Sequence, residues 1–268
     1  MRVEAVIIGA QKCGTSSLAY MISQHPEICF SSIKEPHFFS TVNNWKDNLD
    51  QYHSLFAPKI GQICCEASTS YTFYPRYKGT HLRLYEYNPT LKLIYIMRHP
   101  IRRIISHYNH RLIRQNLKVP LETAIKEDRS YIDISRYGMQ IKPYFDIFPI
   151  DNIFLIIFEE FIQNPQRGLE KLFHFLHISS EHTKSIRYSH KNISIQNLVL
   201  KKANSFLDRK NMFLIQKFLI KIYSIMMKKN ENEYLPAAYR KYLWSLLEHD
   251  IKFIESLLKR RLYIWRNG

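Results

Sequence analysis

A chain of 268 residues with 46% apolar side chains is long enough to bury one large α/β core. Its 39 Lys and Arg against 23 Asp and Glu give a formal charge of +16, which favours anionic partners and excludes an acidic, solvating chain. No uninterrupted apolar run is long enough to span a bilayer, and Cys13, Cys29, Cys64 and Cys65 fall in no metal-ligand or Cys-x-x-Cys spacing.

In chain order, Val6-Ile7-Ile8 reads as a buried strand, Gly9 to Gly14 as a tight turn, and Thr15-Ser16-Ser17-Leu18 as a helix start that Thr15 or Ser16 caps. A helix N-terminus offers unpaired N–H groups and a positive dipole end, and Lys12 adds a full charge beside it. The pattern is therefore an anion cradle, although a plain strand-to-helix connection has the same outline. It departs from the triphosphatase P-loop, which sets Lys directly after the second glycine. Ile28 to Phe30 is a short apolar stretch, followed by Lys34-Glu35-Pro36-His37-Phe38-Phe39, whose aromatic pair anchors a loop in the core. Unaided, Glu35 reads equally as a loop carboxylate paired with Lys34. Ile60 to Ile63 is strand-like and precedes Cys64-Cys65-Glu66-Ala67-Ser68-Thr69-Ser70-Tyr71.

Leu91 to Met97 is a second Leu- and Ile-rich strand, ending at Arg98-His99-Pro100. Pro100 suits a first helical turn, since the N–H it lacks has no partner there. Ser106 then lies about two turns on, sharing a face with Arg102 and Arg103. Arg98 and Ser106 are placed to grip one phosphate from two directions, the alternative being a solvated basic helix face. Further on come Ser135 to Phe148, a strand at Asn152 to Phe158, a helix at Asn164 to His177, a basic loop at Arg187 to Asn192 and a closing helix within Leu235 to Trp265. Phe206 to Lys229 alternates apolar groups with Lys and Arg at helical spacing. Packing on the core, capping a cleft and resting on an anionic membrane all fit it. Without repeats or low-complexity tracts, the chain is expected to be one domain, 1–268, with a helical insertion at about 200–233.

Taken together, Gly9 to Ser16 and the Arg98, Pro100, Arg103, Ser106 and Tyr108 pattern resemble the sulfotransferases that use 3′-phosphoadenosine 5′-phosphosulfate (PAPS). The segment Lys34 to Phe39 is similar to that of the heparan-type saccharide sulfotransferases and their bacterial relatives. The resemblance implies an α/β fold, a P-loop-like parallel sheet flanked by helices, with the donor beyond the strand C-termini. It implies PAPS as donor substrate, no metal, and a hydroxyl acceptor on a saccharide or glycolipid. Gln11, Lys12, Cys13, Gly14, Thr15 and Ser16 would bind the 5′-phosphosulfate, Arg98 and Ser106 the 3′-phosphate, with Lys191 as a further contact. Glu35 would be the base and Lys12 would stabilise the leaving phosphate. His37 is a rival base, because imidazole titrates nearer neutrality. Glu66 and Ser68 would line the acceptor cleft, but Ala67 stands where the heparan-type enzymes carry a catalytic lysine.

A single nucleotide does not require a charge of +16, so the surplus points to an acidic glycan, a membrane surface or nucleic acid, while the resemblance leads to no expectation of a nucleic-acid partner. Adjacent Cys64 and Cys65 point to opposite faces of a strand, so reduced thiols in a cytoplasmic setting are the simplest expectation. No signal peptide is legible, and membrane association through 206–229 stays open. The alternatives from other classes are a Mg²⁺-dependent kinase using the same loop and a non-catalytic polyanion-binding module.

Overall fold

The computed structural model describes residues 1–115, 119–188 and 235–266. Five strands, β1 (Ala5–Gly9), β2 (Ile28–Phe30), β3 (Ile63–Ala67), β4 (Lys92–Met97) and β5 (Ile153–Ile157), form one sheet in the order β2-β3-β1-β4-β5. Every pairing is parallel. A parallel sheet covered on both faces needs strands apolar throughout, and all five residues of β1 are buried accordingly. The chain leaves β1 for β2 and β3 on one side, then crosses to β4 and β5 on the other. The crevice beyond the C-terminal ends of β1 and its neighbours is where such sheets bind ligands.

Helix α1 (Thr15–Ile22) follows β1, α2 (Phe38–Thr41) and α3 (Leu49–His53) follow β2, and α4 (Thr80–Tyr87) connects β3 to β4. Helix α5 (Pro100–Gln115) starts at the proline, as its fixed φ suggests. Helices α6 (Leu121–Glu127), α7 (Ser130–Asp133) and α8 (Tyr137–Phe145) lead to β5. Helix α9 (Phe158–Gln163) and α10 (Pro165–Phe175) follow it, the Asn164 side chain capping α10 by accepting the Arg167 N–H.

The last elements are α11 (Ala237–Leu257) and α12 (Tyr263–Arg266). Leu243, Leu247, Ile251 and Ile254 recur on one face of α11 and are all fully buried. Asp250 from the same helix accepts the Met139 N–H at 2.6 Å and the Arg136 Nε–H at 3.0 Å. It thereby satisfies the N-terminal turn of α8 and fastens the end of the chain to the central body.

Two local expectations change. The third strand starts at Ile63, so Cys64, Cys65 and Glu66 lie inside it, while Ile60 stands fully exposed before Gly61, whose φ of 82° turns the chain. Helix α1 takes Gly14 as its N-cap, in the left-handed region at φ 94°, with no side-chain cap from Thr15 or Ser16. The first N–H groups of α1 thus face the crevice without a partner from the helix itself. The four cysteines are free thiols. Lys191, the 200–233 insertion and the 206–229 stretch lie outside the described residues. Among the described residues no helix is long and apolar enough to cross a membrane.

Gly9 ends β1 with φ 154°, and a Cβ there would meet Thr72 Oγ1 at 2.1 Å. Gly9→Ala is expected to destabilise the protein by about 3 kcal/mol, combining overpacking with backbone strain. Gly79→Ala, at φ 76° with nothing within 4 Å, should cost only about 1 kcal/mol of strain. Urea unfolding midpoints of the two variants check the contrast.

Candidate active site

The groups singled out in the sequence, together with Ser70 and Phe158, follow the C-terminal ends of successive strands. Lys34 to His37 come after β2, Ser68 to Ser70 after β3, Gln11 to Ser16 after β1, Arg98 after β4 and Phe158 after β5. The parallel topology therefore sets Glu35 and His37 toward one end of a single edge and Arg98 toward the other, with the glycine loop between them.

The loop after β1 is tied on both flanks. Ala10 N–H donates to Ile96 O at 2.8 Å, and Thr72 Oγ1 donates to Ile8 O at 2.9 Å. Tyr137 makes the decisive link: its hydroxyl donates to Arg98 O at 2.7 Å and lies 3.4 Å from Cys13 Sγ. Phe158 makes a second link, because its ring packs where a Cβ of Gly14 would stand, at 2.8 Å, and the Arg98 guanidinium sits 5.5 Å over the same ring. The loop and Arg98 are thus held side by side at the strand ends. No local pattern marks Phe158, and Tyr137 lies in a segment to which spacing assigns no chemistry.

Charge is concentrated here. The Lys12 ammonium is brought down to about 8, first by burial and then by Arg103, Arg114, Lys34 and Arg98. His110, on α5, falls to about 4 through burial and the charges of Lys12, Arg114 and Lys34. Arg98 Nε is buried with no hydrogen-bond partner, as is Gln11 Oε1. An array of like charges held together in this way is stabilised by an incoming anion. Lys34, His110 and Arg114 extend the expected set; the last two continue the Ser106 face of α5 at four-residue intervals. Ser106 itself is half-buried on that helix.

Four expected residues take other roles. Cys13 is completely buried, its N–H donates to Ala10 O at 3.2 Å, and burial pushes its thiol up to about 11, so it braces the loop instead of offering a donor to a ligand. Arg103, expected beside Ser106, is fully buried: it donates from Nε to Ser135 Oγ at 2.5 Å and from Nη2 to Tyr131 O at 2.8 Å. Its charge acts on the site from below. Glu66 and Ser68 are also fully buried and do not line a cleft. Because β3 extends to Ala67, Glu66 points inward and accepts from Tyr52, Tyr71 and Ser68 at 3.1, 2.7 and 2.6 Å. Burial, opposed by these bonds, lifts its carboxyl to about 7.

At the other end of the edge, Glu35 and His37 have φ 54° and 57°, a left-handed conformation that needs external support in residues with a Cβ. Phe38 stacks on Tyr52 at 4.5 Å, and Phe39 is fully buried among Trp45, Tyr52, Tyr71 and Tyr87. The aromatic anchor expected from the sequence is therefore present. His37 Nε2 lies 3.6 Å from Glu35 Oε2, and both side chains remain about one-third exposed, at 35% and 29%. The two rival bases are neighbours.

Residues 3–232 match the family model of the sulfotransferase domain. The chain belongs to the sulfotransferase domain family. It is 28% identical over 183 residues to mouse heparan sulfate glucosamine 3-O-sulfotransferase 3B1, an alignment covering 65% of the chain and 45% of the relative. It is 30% identical over 183 residues to the human 3-O-sulfotransferase 3A1, covering 65% and 44%. The chain spans about half the length of these curated relatives. In three dimensions it is similar to a sulfotransferase from Alicyclobacillus acidocaldarius, with a TM-score of 0.74 at 24% identity over 99% of both chains. It is also similar to mouse sulfotransferase SULT7A1 complexed with PAP, with a TM-score of 0.58 at 16% identity, covering 93% and 83%. The parallel sheet flanked by helices is the sulfotransferase fold.

A bound anion favours the charged form of Lys12, whose ammonium otherwise titrates near 8. Affinity for adenosine 3′,5′-bisphosphate should hold below pH 8 and fall as pH rises through that value, with protons taken up on binding at pH 8 to 9. Calorimetry in buffers of different ionisation enthalpy reads this uptake, and Lys12→Ala should abolish it.

Proposed function

We infer that the protein is a PAPS-dependent sulfotransferase acting on a hydroxyl of a saccharide or glycolipid. The observation that carries this reading is the joining of the Lys12 loop to Arg98 in one cationic pocket, with the Glu35–His37 pair on the same strand-end edge. The similarity to heparan sulfate glucosamine 3-O-sulfotransferases supports a saccharide acceptor. The PAP complex of the mouse structure supports an adenosine bisphosphate product.

PAPS supplies a sulfuryl group carried on a 5′-phosphate leaving group. The residues present fit it: an unpartnered Arg98 Nε, a loop in which Gly14 leaves no room for a Cβ, and an ammonium pressed by like charges. Lys12 and the unpaired N–H groups of Gly14, Thr15 and Ser16 would balance charge on the 5′-phosphate, where the α1 dipole adds to the effect. Arg98 and Ser106 would hold the 3′-phosphate, aligning the donor through binding remote from sulfur. Glu35 would take the acceptor hydroxyl proton. Ala67, small and buried on β3, offers no counterpart to the catalytic lysine of heparan-type enzymes, which separates the acceptor preference of this chain from theirs. The cations Lys34 and Arg114, both acting on the neutral His110 ring of α5, favour an acidic acceptor.

The test is transfer of radiolabelled sulfate from PAPS to a panel of glycans and lipid extracts, with ATP and Mg²⁺ as the control for phosphoryl transfer. Glu35→Gln should lower turnover on the order of 10²- to 10⁴-fold while leaving adenosine 3′,5′-bisphosphate affinity intact. Retained turnover would remove Glu35 as the base. Arg98→Ala should weaken that nucleotide by about tenfold or more, the value of a charged hydrogen bond.

A further inference from the structure

The segment Glu35 to Phe39 is fastened to Ser68 to Tyr71 almost residue by residue. Ser68 Oγ accepts the His37 N–H at 2.9 Å, and Thr69 Oγ1 donates to Glu35 Oε1 at 3.5 Å. Ser70 Oγ lies 2.7 Å from His37 Nδ1, and the Tyr71 hydroxyl accepts the Phe39 N–H at 3.4 Å. Behind Ser70, Ser40 Oγ lies 2.6 Å from Ser70 Oγ and donates to His37 O at 2.8 Å. Neither Ser40 nor Ser70 is exposed, since both are buried.

A serine hydroxyl has one proton; with that of Ser40 placed on His37 O, the proton between the two serines belongs to Ser70. Ser70 then meets His37 as an acceptor, which requires a proton on Nδ1. A neutral imidazole has one N–H, so Nε2 carries a lone pair, and it faces Glu35 Oε2 at 3.6 Å. Burial favours the neutral ring, the Glu35 charge opposing it. In the resting site a lone pair beside a carboxylate is unattractive. Once a proton arrives, either as a carboxylic acid donating to Nε2 or as an imidazolium beside a carboxylate, the contact becomes strongly favourable. An interaction that strengthens only as the proton moves accelerates the step.

We propose that Glu35 and His37 form a single proton acceptor, and that Ser70 and Ser40 are positioning residues that fix the His37 tautomer. The proposal rests on the sulfuryl-transfer reading. In the step, the acceptor O–H bond breaks and its proton is shared between Glu35 Oε2 and His37 Nε2. The released electron pair forms the new O–S bond, while the bond from sulfur to the nucleotide phosphate breaks and its pair leaves on that phosphate.

Nitrogen-15 NMR of the full chain labelled at histidine tests the tautomer without substrate. The expected result is a neutral His37 protonated at Nδ1, with Nε2–H appearing in Ser70→Ala. A wild-type ring protonated at Nε2 overturns the proposal. In kinetics, Ser70→Ala should lower kcat about tenfold with KM for PAPS unchanged, and Ser70→Thr should restore both kcat and the nitrogen shifts. Full kcat in Ser70→Ala, or a loss that Ser70→Thr fails to rescue, also overturns it. Absence of sulfuryl transfer by the wild-type protein sinks the activity itself, whereas an Nε2-protonated ring in an active enzyme sinks only the shared-proton proposal.

Discussion

The hydroxyl of Tyr137 is the contact on which the binding pocket depends. Fully buried, it donates to the carbonyl of Arg98, receives the Arg98 N–H at 3.4 Å, and touches the Cys13 thiol. The ends of β1 and β4 are neighbours in the sheet, but only a rigid cross-piece keeps a glycine-rich turn and an arginine in fixed relation while both carry charge. The C-terminal elements reinforce it. Trp265 packs against the Tyr137 ring at 5.8 Å and donates from Nε1 to Glu159, which also accepts the His99 N–H. Residues more than a hundred positions apart thus brace the same strand end.

Around that brace the electrostatics are deliberately unbalanced. Lys34, Arg98, Arg103 and Arg114 all act on Lys12 with a repulsion that its burial magnifies. Arg103 illustrates the arrangement: its hydrogen bonds are to the neutral oxygens of Ser135 and Tyr131 and to the His107 ring, so its charge is held but not cancelled. An apo site of this kind is less stable than a neutral one and gains correspondingly when an anion enters, which links the stability of the fold to ligand binding. At the far end of the edge, Glu35 and His37 face each other at 3.6 Å.

Much of the scaffold was legible. Strands at Ala5–Gly9 and Lys92–Met97 announced themselves by unbroken apolar runs, and Pro100 marked the start of α5 because its ring suits only a first turn. The third strand was read too early, since Ile60 to Ile63 has the composition of a strand but Gly61 turns the chain. That shift of three residues decided the fate of Glu66, which a strand buries and a loop would have exposed. Arg103 was misread for a related reason: helical spacing places it near Ser106, but which neighbouring helix covers it depends on α7, and no local pattern carries that information.

The sequence by itself determined the glycine loop, the cationic helix face and the carboxylate–histidine segment, because those depend on backbone permissiveness, charge and spacing within a few residues. Tertiary structure alone decided that Tyr137 and Phe158 join the loop to Arg98, and that the Ser68–Tyr71 run grips Glu35 and His37. Such contacts arise where parallel strands end side by side, and their partners lie 31 to 144 positions apart in the chain, beyond the reach of any periodicity.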